Sequence, residues 1–260
     1  SILFSANRQT DAALDPLESE IWSVGLADGA LTRLTQGRDG PDRAPAVSPD
    51  GALIAFLGFD DARLSTQQTR LYVMNADGSN PRLLAAGLDR SVGNVQWGDD
   101  GAIWFQFDDG GEGRIARIAP EGGEATVVAG GLGGTNLGRP YTSGTFSVSA
   151  GTLAWTAATP HRPADLMIRR GDMRRRATAL NEDLLAHRRL GRVEEMHWRS
   201  GADDLEIEGW LVYPADFDPA RRYPLVLEIH GGPHAAYGPV FSAEVQLYAA
   251  AGYFVLYTNP

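Results

Sequence analysis

The sequence predicts a partial β-propeller of about four visible blades, followed by the first part of an α/β domain. Short apolar strands separated by turn residues fill residues 1–180. Turn glycines recur with a spacing of 50 residues, at Gly51, Gly101 and Gly151. A buried strand, a glycine-rich turn and an amphipathic segment then follow within residues 225–251. Repeats of roughly 40 to 50 residues with four strands each are typical of propeller blades, and the later change of pattern indicates a second domain.

Each repeat contains short strands joined by tight turns. The dipeptides Asp28-Gly29 and Asp77-Gly78 predict hairpin turns, in which glycine supplies the positive φ that other residues avoid. Because the first repeat begins abruptly, we expect further blades before Ser1. The predicted strands are Ile2–Ser5, Ile21–Leu26 and Leu31–Leu34 in the first repeat; Leu53–Phe59, Leu71–Met74 and Arg82–Ala85 in the second; Ile103–Phe107, Arg114–Ile118 and Ala125–Val128 in the third; and Phe146–Ser149, Leu153–Thr156, Leu166–Arg169 and Ala177–Leu180 in the fourth.

Residues 183–193 separate the repeats, residues 1–182, from the second domain. This segment is rich in Arg and has few apolar anchors, so we interpret it as a linker. Residues 194–260 are interpreted as the N-terminal part of an α/β-hydrolase domain. A sheet that ends at its fourth strand exposes an apolar edge, so we expect this part to require the rest of the same protein. Its predicted elements are the strands Glu194–Arg199, Leu205–Tyr213, Leu225–Ile229 and Tyr253–Tyr257 and a helix within Val240–Ala251.

The composition argues against several classes of function. The net charge of −10 at pH 7 disfavours nucleic acids and anionic membranes as partners. The absence of Cys excludes disulfides and thiolate chemistry within these residues. All 23 basic residues are Arg, which excludes a Schiff-base lysine and a Walker A loop. Neither a long apolar run nor a signal peptide is visible, so we expect a cytoplasmic protein without a membrane partner.

Two patterns with the spacing of ligand sites are better explained as turns. Gly111–Ala116 matches the dinucleotide pattern G-x-G-x-x-A, but a short strand rather than a helix follows it, so we predict a hairpin loop. His230 and His234 have the spacing of a zinc-binding helix, but the intervening Gly231-Gly232-Pro233 cannot form a helix interior. We therefore expect neither a cofactor nor a metal. Turn caps, rather than catalytic carboxylates, are predicted for the acidic pairs Asp60-Asp61, Asp99-Asp100, Asp108-Asp109 and Asp203-Asp204.

The strongest candidate site is the turn His230-Gly231-Gly232-Pro233. The alternative interpretation is a tight strand-to-helix turn without chemistry. Bare glycine N–H groups at a strand end can stabilise the negative charge that develops on a tetrahedral intermediate. In α/β-hydrolases, an HGGG-type turn supplies such a group. No G-x-S-x-G nucleophile motif occurs in the sequence, which therefore contains part of an active site without its nucleophile.

Several motifs together allow a family to be named. They are the S-P-D-G-type turn of the repeats and the segments Ile207–Leu211, Tyr223–Leu227, His230–His234 and Ala251–Val255. The sequence resembles the prolyl oligopeptidase family of serine peptidases, and its acylaminoacyl-peptidase branch most closely. This resemblance implies a propeller that restricts access to short peptides and an active site between the propeller and the hydrolase domain. It also implies that the catalytic Ser, Asp and His lie outside residues 1–260.

The resemblance further implies roles for three residues of the turn. By position, the amide N–H of Gly232 is one oxyanion donor, and the residue after the missing Ser supplies the other. His230 stands where other branches of the family carry an oxyanion-binding Tyr, so we expect His230 and Gly231 to support the turn. The implied activity is the release of N-acylated or N-terminal amino acids from short peptides by acyl transfer. The chain alone is expected to be inactive.

Two other functions remain open from the sequence. One is a propeller that serves as a binding or scaffold module, with a hydrolase remnant that has no chemistry. The other is an esterase on the same fold. A G-x-S-x-G motif followed by Asp and His after Pro260 would favour a peptidase over the binding module. The relative turnover of acyl peptides and simple esters would distinguish a peptidase from an esterase. The expected partners are short peptide substrates and the remaining part of the same protein. Association into a homo-oligomer is also possible from the sequence.

Overall fold

A computed structural model describes residues 1–134, 136–232 and 235–259, and it is mostly β. The elements are β1 Ile2–Ala6, β2 Glu20–Val24, β3 Leu31–Arg33, β4 Asp42–Val47, β5 Leu53–Gly58, β6 Arg70–Asn75, β7 Arg82–Leu84, β8 Val92–Trp97, β9 Ile103–Asp109, β10 Glu112–Ile118, β11 Thr126–Leu132, β12 Phe146–Ser149, β13 Thr152–Thr159, β14 Arg162–Arg170, β15 Met173–Arg176, α1 Glu182–Leu185, β16 Val193–Arg199, β17 Glu206–Val212, β18 Leu225–Glu228, α2 Ala243–Ala250 and β19 Phe254–Asn259. Neither of these helices has the length and apolar character that crossing a membrane requires.

The chain divides into two compact units. The first contains Ser1–Phe107, Ile115–Ala129 and Val148–Gly151, and the second contains Asp108–Arg114, Gly130–Ser147 and Thr152–Pro260. The domain boundaries predicted at residues 182 and 194 follow motifs rather than compactness, and they stay a prediction.

In the first unit, the sheet β4-β5-β6-β7 is an antiparallel meander whose central strands, β5 and β6, are buried on both faces. Side chains of a strand alternate between the two faces of its sheet, so one strand serves two cores. Ala55 and Leu57 of β5 join one apolar cluster, whereas Ile54 and Phe56 join another. The second cluster also contains Ile21 of β2, from the three-stranded sheet β1-β2-β3. This double burial explains why β5 is an uninterrupted apolar run in the sequence.

The turn glycines adopt the conformation that their spacing predicts. Gly51, Gly101 and Gly151 have φ of 75°, 77° and 67°, in the left-handed region that favours glycine. The turns at Gly51 and Gly101 also share a hydrogen bond, because the Asp50 and Asp100 carboxylates each accept from the backbone N–H two residues later. The repeated hairpin is therefore confirmed at the level of backbone geometry.

The strands of the third and fourth repeats lie in one sheet of order β15-β14-β13-β11-β10-β9-β8. Within it β11 pairs with β13 at Leu132 and Ala157, and β12 also pairs with β13. One sequence-based expectation about the later repeats is wrong. The last strand of the fourth repeat is Met173–Arg176, which pairs with β14, and not Ala177–Leu180. An Arg-rich strand has no apolar alternation to reveal it, and here it lies exposed at the end of its sheet.

The second unit contains the sheet β16-β17-β19-β18 and the helix α2. β18 and β19 are parallel, and α2 forms the connection between them, as parallel strands require. The side chains of Trp210, Val212, Val245, Ala249 and Val255 pack together as the core between helix and sheet. The predicted apolar edge is present, but it is β18 rather than the last strand, because the crossover inserts β19 between β17 and β18.

Candidate functional site

The turn from His230 to Gly232 follows the C-terminal end of β18. Gly231 and Gly232 are both exposed, and the ring nitrogen Nδ1 of His230 lies 3.3 Å from the carbonyl oxygen of Gly231. Gly232 has a φ of 104°, a backbone conformation that residues with a Cβ rarely adopt. A Cβ on Gly231, in contrast, would meet open space. The glycine requirement is thus conformational at Gly232. Pro233 and His234 lie outside the described residues.

A charged network lies beside the strand that leads into this turn. The Arg139 guanidinium is 2.7 Å from Glu228 Oε1, and its Nε donates to Glu244 Oε2 at 3.2 Å. The Tyr237 hydroxyl donates to the same Glu228 oxygen at 3.0 Å. Burial, with the adjacent Glu228 carboxylate, raises the pKa of Tyr237 well above its usual range. The Tyr237 phenol therefore stays protonated at physiological pH and acts as a hydrogen-bond donor to Glu228.

Aromatic rings connect the turn to the core of the second unit. The His230 ring lies edge-on to Tyr237 at a centroid distance of 5.0 Å and also faces Tyr141 at 6.3 Å. Tyr237 in turn packs against Tyr257, which stacks on Trp210 at 5.4 Å. Offset and edge-to-face ring pairs are favourable geometries. His230 is therefore held through its ring, and its supporting role in the turn stays a prediction.

The G-x-G-x-x-A pattern is a hairpin turn, as the sequence analysis predicted. Gly110 and Gly111 connect β9 to β10 with positive φ values of 56° and 65°. A Cβ on Gly111 would lie 2.6 Å from the Trp210 ring, and one on Gly238 would clash with the Gly111 carbonyl oxygen. These glycines therefore permit close packing of the hairpin on Trp210 and do not form a helix N-terminus for a pyrophosphate.

The acidic pairs agree only partly with the predicted turn caps. Asp61, Asp100 and Asp203 each accept a hydrogen bond from the backbone N–H two residues later, as expected of turn carboxylates. Asp108-Asp109 instead lies at the end of β9, so that prediction is wrong for this pair. The Asp108 carboxylate accepts a hydrogen bond from the Thr142 hydroxyl at 2.7 Å. The strand continues through these residues because pairing satisfies the backbone while Thr142 satisfies the side chain.

Sequence reasoning missed a second cluster of titratable groups, on β16 and β17. Glu195, His197 and Glu208 place one ligand-type atom each within 4.8 Å of one another. His197 lies opposite Glu208 in the strand register, and its ring contacts Glu195 at 2.9 Å and Glu206 at 3.4 Å. The hydrogen bond to Glu195 raises the pKa of His197. The alternating polar face of β16 could have indicated this ion-pair cluster, whose contacts need no metal.

Sequence reasoning also missed Arg139, Tyr141 and Tyr237, which surround the predicted turn. Arg139 and Tyr141 precede Glu228 by many residues and belong to a segment between strands β11 and β12. No local periodicity links such distant positions, so only the tertiary structure brings them together. The site thus consists of an exposed diglycine turn and the polar and aromatic groups that surround its base. The roles predicted for Gly232, Gly231 and His230 stay predictions.

Comparison with known proteins gives the class to which this architecture corresponds. No protein-family model matches the chain. Dipeptidyl-peptidase 5 of Aspergillus oryzae is 28% identical over 242 residues, which cover 86% of this chain and 31% of that protein. An uncharacterized peptidase of Bacillus subtilis, YuxL, is 37% identical over 102 residues, which cover 39% of this chain and 15% of that protein. The chain therefore spans about a third, or less, of the length of these relatives, which are peptidases.

Solved structures show the same mostly-β fold. An acylaminoacyl peptidase in complex with Z-Gly-Gly-Phe-chloromethyl ketone matches with a TM-score of 0.80 at 23% identity, over 100% of this chain and 38% of that one. The chain is thus similar to dipeptidyl-peptidase 5 in sequence and to acylaminoacyl peptidase in fold.

Proposed function

We propose that the protein to which this chain belongs is a serine peptidase of the prolyl oligopeptidase type. It releases N-acylated or N-terminal amino acids from short peptides by acyl transfer. The observation that carries this proposal is the exposed diglycine turn at the end of a parallel strand, with Gly232 at a φ of 104°, in a chain whose relatives are peptidases. The name of the related peptidyl chloromethyl ketone complex supports peptides as the substrate class.

The proposal assigns the two parts of the chain to two domains. The repeated antiparallel sheets are blades of a propeller that restricts entry to short peptides. Residues 194–260 are the N-terminal part of an α/β-hydrolase domain. The parallel pairing of β18 with β19 through α2 supports this assignment, since crossover units of this kind build hydrolase sheets.

In this mechanism, a serine outside these residues attacks the peptide carbonyl carbon, and a histidine takes the hydroxyl proton. The carbonyl oxygen becomes negatively charged as the tetrahedral intermediate forms. The Gly232 amide N–H donates one hydrogen bond to this oxygen, and the residue after the serine donates another. A donor fixed before the reaction stabilises the charge without reorganisation at the moment of attack. The held conformation of Gly232 is this chain's contribution to the mechanism.

A pair of glycine substitutions tests the role of the turn in the full-length protein. Gly232→Ala should lower kcat/KM for acyl-peptide substrates roughly 100-fold or more, the loss typical of one oxyanion donor, because alanine disfavours a φ of 104°. Gly87→Ala is the control, since Gly87 lies outside the turn, has no positive φ, and its Cβ would meet open space. If the two variants had equal kcat/KM and an unchanged KM, Gly232 would not be an oxyanion donor.

A fluorophosphonate probe tests the mechanistic class. The full-length protein should become covalently labelled at a serine, and peptide mapping should place that serine outside residues 1–260. A polypeptide limited to residues 1–260 should stay unlabelled under the same conditions. Covalent labelling of a serine within residues 1–260 would overturn the assignment of the nucleophile to another part of the protein.

A further inference from the structure

The strand that enters the diglycine turn is fixed by an ion pair. Glu228 is the last residue of β18, two positions before His230. Its side chain is only 16% exposed, and its Oε1 contacts the Arg139 guanidinium at 2.7 Å. Arg139 is anchored in turn by Glu244 of α2, at 3.2 Å. The contact between Arg139 and Glu228 is an ion pair, and the attraction between two opposite charges is stronger where water is partly excluded.

The segment that leaves the turn is fixed by a different set of bonds. The Tyr237 backbone N–H donates to Asn259 Oδ1 at 2.8 Å, and the Tyr237 carbonyl accepts from Asn259 Nδ2 at 2.8 Å. On its other side, Tyr237 forms a bridge with Tyr141, and Thr142 N donates to the Ala236 carbonyl at 2.9 Å. These contacts hold the backbone of residues 236–237 between the end of β19 and the segment around Tyr141.

One side chain connects the two arms of the turn. The Tyr237 hydroxyl donates to the same Glu228 oxygen that Arg139 contacts, at 3.0 Å. Tyr237 is fully buried, and its ring contacts His230, so the hydroxyl cannot move without repacking the base of the turn. Glu228 thus forms an ion pair with Arg139 and accepts a hydrogen bond from Tyr237, and the bond from Tyr237 joins the strand before the turn to the segment after it.

We propose that Glu228, Arg139 and Tyr237 are positioning residues that hold the His230–Gly232 turn in the exposed conformation described above. This inference rests on the proposed function, since it gives the network a purpose in aligning the Gly232 amide. The network acts through the backbone on both sides of the turn and does not touch the reacting atoms. Preorganised donors lose effectiveness when their supporting contacts loosen, even if the donors themselves remain.

The structure offers a matched pair of tyrosine substitutions for the test. Tyr237→Phe removes the hydroxyl that joins the two arms and keeps the ring. Tyr248→Phe removes a hydroxyl that donates to Glu244 at 3.1 Å. This bond is of similar length and also ends on a carboxylate that contacts Arg139, but it does not join the two arms of the turn. In the full-length peptidase, Tyr237→Phe should lower kcat about tenfold with KM within twofold, and Tyr248→Phe should change neither. Equal effects of the two variants would overturn the proposal.

Arg139 allows a rescue experiment that separates positioning from general stability. Arg139→Met removes the ion pair with Glu228 and should lower kcat at least tenfold. Arg139→Lys restores a positive charge that can contact Glu228 and should recover part of the lost kcat, although a lysine cannot reproduce both contacts of a guanidinium. If both variants lose kcat equally while both retain the parent melting temperature, the charge contact does not position the turn.

Hydrogen exchange provides a readout that does not need activity. Tyr237→Phe should increase deuterium uptake in peptides that cover Glu228–Gly232 several-fold, whereas Tyr248→Phe should leave this uptake unchanged. Unchanged uptake in Tyr237→Phe would overturn the positioning role whatever the enzymatic result. If the parent protein cleaves no peptide while the exchange difference is present, the proposed function fails and the structural inference stands.

Discussion

Individual buried charges in the first unit set a pH dependence that the sequence does not show. Asp42 is only 2% exposed, and burial raises its pKa from 3.8 to about 6, although Arg38 at 3.5 Å opposes the shift. The buried carboxylate of Glu20 contributes to the same rise. Arg38 also lies over the Tyr72 ring at 3.9 Å, which fixes the position of its charge. Asp42 is therefore more easily protonated in the folded chain than in the unfolded one.

This shift predicts a measurable change of stability with pH. Because the folded pKa is raised, the stabilising contribution is complete below pH 3.8 and is lost as the pH rises through about 6. About two pKa units correspond to about 3 kcal/mol. The unfolding free energy of the parent protein should therefore fall between pH 4 and pH 6, and that of Asp42→Asn should fall less. Urea denaturation at several pH values measures both.

Asp50→Asn is the control for this prediction. Asp50 is exposed, and the hydrogen bond that it accepts from Ser48 lowers its pKa. The stability that this bond contributes is therefore lost mainly at pH values below about 4. The slope between pH 4 and 6 should therefore match that of the parent. An unaltered slope in Asp42→Asn would show that the folded carboxylate titrates normally.

At the scale of the element, the repeated hairpin depends on one backbone conformation. Gly101 has a φ of 77° and open space around its missing Cβ, so only strain opposes a side chain there. Gly101→Ala should destabilise the protein by roughly 1–2 kcal/mol, the cost of the left-handed region for a residue with a Cβ. Thermal or urea unfolding of the variant measures this cost.

Gly87 provides the comparison, because its surroundings are equally open and its φ is not in the positive range. Gly87→Ala should be neutral or stabilising by up to about 1 kcal/mol, since alanine restricts the unfolded chain. If the two variants have equal stability, the turn tolerates a side chain and the repeat is not fixed by glycine. The 50-residue period would then reflect sequence history rather than a conformational need.

Strands with apolar alternation and turns with glycine were predictable from the sequence, and those without these signals were not. β5 and β6 were found within one or two residues because both faces of each strand are apolar and buried. β15 was missed because its four residues are one Met and three Arg at an exposed position. A strand there is decided by pairing with β14 and not by its own composition.

At the scale of the whole molecule, the edge strand β18 carries a row of exposed apolar side chains. Leu225 and Leu227 on this strand and Ile229 just after it are 59%, 54% and 67% exposed, an unusual arrangement for neighbouring apolar residues at a sheet edge. We propose that the remaining part of the same protein covers this edge. The proposal requires that these side chains are buried when the full-length protein folds.

A lysine substitution tests that coverage in the full-length protein. Leu227→Lys should lower the unfolding free energy by roughly 2–4 kcal/mol, since it buries a charge without a partner at a packed position. Leu26→Lys, at a turn residue that is 73% exposed, should change it by less than about 0.5 kcal/mol. A full-length Leu227→Lys variant as stable as Leu26→Lys would show that the edge is open.

The sequence by itself determined the repeat, its turn glycines and the exposed diglycine turn, because each depends on local conformation within a few residues. Tertiary structure alone decided which strand forms the edge of the sheet, since the parallel crossover places β19 between β17 and β18. It also decided that Arg139 and Tyr237 meet at Glu228. Contacts between distant segments depend on how strands and helices pack, and no local pattern in the chain specifies them.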